Sequence, residues 1–204
     1  FYKNKNIYSY NTTEYIKDMG TPERFNLVKE DLMLNKVSLK NYKKPQKGLF
    51  LDRDNTLIRC DIGKYILSEK QIEFIDENIY RISSIAKEFD LVCLVTNQPS
   101  ISMGNLTIYQ LEKINSIIVK HCLQKDLKID VITYCPHHPH KGFQNEVKTL
   151  KSDCFCRKPN PGLILEQAFM RNINLKQSIM IGDSDSDSKA AENSGCKFIH
   201  VDSL

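Results

Sequence analysis

Gly48-Leu49-Phe50-Leu51 runs without a break into Asp52-Arg53-Asp54-Asn55-Thr56, and this junction limits the possible folds more than any other stretch. A short continuous apolar run reads as a strand buried on both faces, the kind found in parallel sheets. In open α/β sheets, ligands bind beyond the carboxyl ends of the strands. Asp52 and Asp54 stand at such an end, on a turning segment. Two carboxylates that close repel each other unless a cation lies between them. The pair points to a magnesium-assisted site with one carboxylate free to act as a nucleophile. The plain alternative is two loop aspartates after a strand.

The pattern after Lys47 repeats this theme. Apolar runs at Leu91-Val92-Cys93-Leu94-Val95, at about 129–134, at Ser178-Ile179-Met180-Ile181 and at Phe198-Ile199-His200-Val201 predict four more strands. Between them, helical spacing predicts helices over about 76–88, about 105–123 and after Pro159 and Pro161, with a short one closing at Gly195. Their inward residues include Ile79 and Ile82, then Ile108, Leu111, Ile114, Ile118 and Cys122, then Ile164, Leu165, Ala168 and Phe169. Alternating strands and helices predict a three-layer, doubly wound parallel sheet of the α/β class. Polar residues follow several strands directly, namely Asp52, Thr96 and Asp183, and this architecture converges them on one edge.

Residues 1–46 differ from the rest. Ile7-Tyr8-Ser9-Tyr10 suggests a short strand. Thr21-Pro22-Glu23 is a helix start, with a hydroxyl cap, proline at the first position and an acid in the first turn. The lysine-rich stretch up to Pro45 reads as a linker, which divides the chain at 1–46 and 47–204. Of 204 residues, 41% are hydrophobic and 26% charged, ordinary proportions for a soluble globular protein. A net charge of +4 without a basic stripe gives no reason to expect nucleic-acid binding. No apolar run reaches membrane-spanning length, and no signal peptide is visible. The chain opens at Phe1 rather than Met, so it is expected to be a fragment or a trimmed chain. Its 7 cysteines form no secreted disulfide framework, and a reducing cytoplasm is the expected location.

Cys135-x-His137 and Cys154-x-Cys156 offer three thiolates and an imidazole, a tetrahedral zinc set. The loop between them has little apolar content, and a structural zinc would staple it. A redox disulfide or unpaired thiols are the alternatives.

Asp52-x-Asp54-x-Thr56, Thr96, Lys158-Pro159 and Gly182-Asp183-x-x-x-Asp187 resemble, in order, the four motifs of the haloacid dehalogenase-like phosphatases. The likeness spans about 47–201. Within that superfamily the chain resembles the D,D-heptose 1,7-bisphosphate 7-phosphatases, on the strength of Cys135-Pro136-His137-His138-Pro139 and Cys154-Phe155-Cys156-Arg157-Lys158-Pro159. Histidinol-phosphate phosphatases share a related loop and are the nearest competitor. The resemblance implies a Rossmann-like fold with a minimal cap and a zinc-stapled loop. It implies that Asp52 attacks phosphorus, that Asp54 protonates the leaving oxygen and then activates water, and that Thr96 and Lys158 hold the phosphoryl group. Magnesium would be bound by Asp52, the Asp54 carbonyl and Asp183, and zinc by Cys135, His137, Cys154 and Cys156. Substrate contacts fall to Arg53, Asp61, Tyr65, Asn97, Gln98 and Arg157, with a sugar phosphate as the partner. Asp187 either orients a metal-bound water or simply favours a helix start. His200 reads as an ordinary strand residue. Asn55 replaces the family's usual glycine but tolerates a left-handed backbone.

The front segment Glu14-Tyr15-Ile16-Lys17-Asp18-Met19-Gly20-Thr21-Pro22-Glu23 is similar to the closing stretch of sugar-1-phosphate nucleotidyltransferases. That resemblance implies a fused nucleotidyltransferase–phosphatase acting in nucleotide-activated heptose synthesis. An unrelated helix–linker arm is the alternative. A non-catalytic zinc-stapled module is the third functional class, disfavoured by the joint presence of both aspartates, Thr96, Lys158 and Asp183.

Overall fold

The computed structural model describes residues 14–34, 36–39, 43–61 and 63–204. Five strands, β1 (Gly48–Leu51), β2 (Leu91–Asn97), β3 (Val131–Cys135), β4 (Ile179–Gly182) and β5 (Lys197–His200), form one sheet in the order β3-β2-β1-β4-β5. Every neighbouring pair is parallel. The chain steps from β1 outward to β2 and β3, then returns to the other side of β1 for β4 and β5. The direction of winding therefore reverses between β1 and β4, the place where such sheets open a ligand crevice.

Side chains alternate across the sheet, as strand geometry requires. Leu49, Leu51, Val92, Leu94 and Ile181 pack on one face with Ile79 and Ile82 of α3 (Asp76–Ala86) and Leu111, Ile114 and Ile118 of α4 (Ile108–Gln124). Phe50, Cys93, Val95 and Met180 pack on the other with Leu163 and Ile164 of α5 (Gly162–Arg171) and Ala190 and Ala191 of α6 (Asp185–Ser194). Both faces of the central strands are thus covered, and the expected three-layer α/β architecture is present. Each fully buried Leu or Ile contributes roughly 1.5–3 kcal/mol.

Two inward assignments do not hold. Ile108 is 49% exposed and Phe169 55% exposed. Neighbouring helical residues point about 100° apart at 3.6 residues per turn. Ala168 takes the inward position of the last turn of α5, which leaves Phe169 outside. Ile108 is the first residue of α4, at the rim of the apolar layer.

In the front segment, α1 (Pro22–Met33) begins where the sequence places it, and Thr21 Oγ1 accepts from the Arg24 amide at 3.3 Å. It packs against the one-turn helix α2 (Lys36–Leu39). Asp31 fastens the pair, accepting from Tyr15 and Lys17 at 2.8 Å each and from Lys36 at 2.6 Å. The suggested strand at Ile7–Tyr10 and linker residues 40–42 lie outside the described residues. Among the described residues, no helix is long and apolar enough to cross a membrane.

Candidate active site

The site is built where β1 and β4 end side by side. The Asp52 amide donates to the Ile181 carbonyl at 2.9 Å, so the ladder continues one residue beyond β1 and fixes Asp52 at the sheet edge. Asn55 then takes a left-handed turn at φ 57°, and its Oδ1 accepts from the Cys60 amide at 2.8 Å. This tight reversal keeps Asp52 and Asp54 over one cleft of about 350 Å³. After β4, Asp183 enters the same cleft. Its backbone carbonyl accepts from His200 Nε2 at 2.9 Å, while His200 Nδ1 accepts from the Asp202 amide at 3.3 Å. His200 is therefore a buttress for the Asp183 loop, not an ordinary strand residue. The legible signal was a polar side chain at the carboxyl end of a strand.

Lys158 is buried between two carboxylates. Its Nζ lies 2.5 Å from Asp52 Oδ1 and 2.6 Å from Asp187 Oδ1, and it donates to the Val95 carbonyl at 2.9 Å. Burial works against its charge, but Asp52 and Asp187 outweigh that and hold its pKa above the ordinary lysine value. Burial pushes the Asp52 carboxyl up to about 7, with Lys158 opposing and Asp187 and Asp54 adding to the rise. Asp183 is also raised, by burial and then by Asp187. Asp187 closes a helix start, one of the two roles open to it by position, and also pairs with Lys158, which the sequence did not suggest. One oxygen pairs with Lys158, and the other accepts from the Ser184 amide at 3.2 Å and hydroxyl at 2.6 Å, closing the start of α6. Gly182 makes this approach possible, because a Cβ there would sit 2.5 Å from Asp187 Oδ2.

Carboxylate oxygens of Asp52, Asp183 and Asp187 lie within 4.8 Å of one another. One buried ammonium faces these three acids, so the cluster retains an excess of negative charge suited to a hard divalent cation with oxygen ligands.

The other expected residues fall into two groups. Asp61, Tyr65, Thr96 and Asn97 line the cleft together with Asp54. Asn97 also ties down the cation: its Oδ1 accepts from the Lys158 amide and its Nδ2 donates to the Lys158 carbonyl, both at 3.0 Å. Arg53, Gln98 and Arg157 are not part of the cleft lining. Arg53 was expected against substrate, but it is 1% exposed and its Nε and Nη2 donate to Asp54 at 3.0 and 3.1 Å. A side chain following Asp52 on a turn points away from the face that Asp52 occupies. Gln98 is likewise buried, donating to Asp54 Oδ2 at 3.1 Å and to Thr96 Oγ1 at 3.0 Å. Arg157 is half-buried and donates to the His137 carbonyl at 3.3 Å.

The second cluster gathers Cys135, His137, Cys154 and Cys156. Sulfur–sulfur distances are 3.2–3.4 Å and the two sulfur–Nδ1 distances are 3.3 and 3.6 Å. These spacings approach the edges of a tetrahedron around a metal bound at about 2.3 Å to sulfur, and all four groups turn their ligand atoms inward. The three cysteines are free thiols. Burial, then the neighbouring thiol of Cys156, raises the Cys135 pKa, a penalty that a bound cation reverses. The cluster is able to hold a structural metal ion such as zinc.

Comparison with known proteins agrees with this geometry. Residues 155–203 match a family described as HAD-hydrolase-like. The chain is 36% identical over 154 residues to the D-glycero-beta-D-manno-heptose-1,7-bisphosphate 7-phosphatase of Escherichia coli (strain K12), covering 74% of this chain and 78% of that one. It is 34% identical to the Salmonella typhi enzyme of the same name, covering 74% and 79%. The crystal structure of D,D-heptose 1,7-bisphosphate phosphatase from B. bronchiseptica, complexed with magnesium and phosphate, superposes with a TM-score of 0.63 at 27% identity, covering 74% of this chain and 78% of that one. With its sheet order, its paired aspartates and this degree of likeness, the chain belongs to the HAD-like hydrolases, in the family of the D-glycero-beta-D-manno-heptose-1,7-bisphosphate 7-phosphatases.

Proposed function

We propose that this protein is a magnesium-dependent phosphatase that removes the 7-phosphate from D-glycero-D-manno-heptose 1,7-bisphosphate through an aspartyl-phosphate. The observation that carries the reading is Lys158 Nζ at 2.5 Å from Asp52, beside a carboxylate cluster at the sheet's reversal point. Asp52 attacks phosphorus in line. The bond to the sugar oxygen breaks, and Asp54 gives that oxygen its proton. Asp54 then takes a proton from water as the water attacks the same phosphorus. The bond to Asp52 breaks, and inorganic phosphate leaves. Lys158 and Thr96 hold the non-bridging oxygens, where charge builds up. Asp52, the Asp54 carbonyl and Asp183 would hold magnesium, which would supply the neutralisation that lets a carboxylate approach a phosphate dianion; Asp187 holds the Lys158 cation beside them. In this reading Asp61, Tyr65 and Asn97, which line the cleft, meet sugar hydroxyls, and Arg157 turns from the His137 carbonyl to grip the far phosphate.

Phosphate release from the heptose bisphosphate, histidinol phosphate and an aryl phosphate tests this, with magnesium and with a chelator. The heptose bisphosphate is the expected best substrate, the chelator abolishes turnover, and Asp52→Asn is inactive. Full turnover by Asp52→Asn, or preference for histidinol phosphate, would overturn the reading.

We infer further that residues 7–31 are the tail of a nucleotidyltransferase unit, that the protein works in the cytoplasm, and that it serves nucleotide-activated heptose synthesis. The capped Gly20-Thr21-Pro22 helix start and the free thiols support this. Release of pyrophosphate from a nucleoside triphosphate and heptose 1-phosphate by the full chain tests the first point.

A further inference from the structure

Arg53 and Asn115 are two buried polar side chains that the chemistry above does not use. Asn115 is 3% exposed on the inward face of α4, between Leu111, Ile114 and Ile118. A lone amide on an apolar stripe costs free energy unless it is bonded. Its Oδ1 accepts from Arg53 Nη1 at 3.2 Å. A guanidinium withdrawn from water costs still more, and it persists only with matched partners. Arg53 turns its Nη1 edge to Asn115 and its Nε–Nη2 edge to Asp54, in the two-pronged geometry that suits a carboxylate. Gln98 closes the remaining side of Asp54 at 3.1 Å. The Asp54 carboxyl is thus gripped from behind by Arg53, itself anchored on α4, and by Gln98 just beyond β2, while its open side faces the cleft.

We propose that Arg53 and Asn115 are positioning residues for Asp54: Asn115 fixes the plane of the guanidinium, and the guanidinium sets the direction in which Asp54 delivers its proton to the departing oxygen. The inference rests on the reading of Asp54 as the acid. In the first step the P–O bond to the leaving group breaks while the P–O bond to Asp52 forms. A sugar alkoxide needs a proton at that moment, and a phenolate does not. Loss of aim therefore harms sugar phosphates and spares aryl phosphates. Because kcat/KM reports only on events up to the first irreversible step, it isolates this requirement from the later attack of water.

The test compares kcat/KM on the heptose bisphosphate and on an aryl phosphate for Arg53→Lys, Asn115→Leu and Asp54→Asn, each checked for folding by thermal melt. Asn115→Leu keeps the branched four-atom shape of the side chain and extends the apolar stripe, so it decides the matter if Arg53→Lys does not fold. Asn115→Leu and Arg53→Lys are expected to lose about 10- to 100-fold on the sugar substrate and under about 3-fold on the aryl substrate, part of the 10²–10⁴ that a positioned acid supplies. Equal losses on both substrates, or none on either, would overturn the proposal and leave the pair a structural plug. If Asp54→Asn itself shows no such split, the acid assignment fails and the inference goes with it. If Asp54→Asn shows the split and Asn115→Leu does not, only the inference fails.

Discussion

At the residue scale, the ordering of charge around Lys158 explains why small changes nearby should be costly. The ammonium is held on two carboxylates and a carbonyl, with no water-facing alternative. Gly182→Ala would push a methyl group to 2.5 Å from Asp187 Oδ2. Asp187 cannot retreat without opening both its pair with Lys158 and its cap on Ser184. We expect Gly182→Ala to lower stability by about 1–3 kcal/mol and to cut turnover, read from a urea titration and a phosphate-release assay. Asp52, Asp54, Thr96, Lys158 and Asp183 were legible because each follows a strand or sits in a motif of fixed order. Arg53 was not: its neighbours in sequence are site residues, but a turn sends alternate side chains to opposite sides, and only three-dimensional packing reveals Asn115 waiting behind it.

At the element scale, the metal-binding loop and the front arm each carry a prediction. Arg157 hangs from the His137 carbonyl, inside the Cys/His cluster, whereas Lys158 is held by Asn97 and Val95. Removing a ligand with Cys154→Ser should therefore release Arg157 more than Lys158. The expected result is a rise of about 10-fold in KM for the bisphosphate, the size of one lost charged hydrogen bond, with a smaller effect on an aryl phosphate and with zinc lost by mass spectrometry. In the arm, hydrogen bonds from Lys17, then Lys36 and Tyr15, hold the Asp31 pKa far below the ordinary carboxylate range. A depressed carboxylate contributes stability that is present above its unfolded pKa of about 4 and is lost as pH falls further. The contacts that Tyr15, Lys17 and Lys36 of α2 make with Asp31 of α1 should loosen on acidification below about pH 4, seen as new cleavage near residues 14–36 by an acid-active protease. The central strands β1, β2 and β4 were legible because strands buried on both faces are apolar along most of their length. The order β3-β2-β1-β4-β5 was not, since nothing local to a strand names its neighbour. Helical stripes could be read along their centres but not at their edges, which is why Ile108 and Phe169 were misplaced.

At the scale of the whole molecule, reversal of the winding between β1 and β4 brings three acids together, and the fold tolerates their repulsion only in part. Burial keeps the Asp52 carboxyl near 7. An acid raised in the folded state favours folding fully below its unfolded pKa, and loses that contribution as pH rises through the folded value. A divalent ion competes with that proton. Magnesium should therefore raise the melting temperature more at pH 8 than at pH 6, and binding at pH 6 should release protons, measurable by calorimetry in two buffers of different ionisation heat. A magnesium shift independent of pH would refute this picture. The two bonds between Asn97 and the backbone of Lys158 have a separate consequence. They fasten Lys158 to the end of β2 without using the irregular loop that follows β3, so part of that loop can vary without moving the cation. Lengthening or swapping residues 141–149 should alter which sugars are accepted while the hydrolytic machinery beneath stays in place.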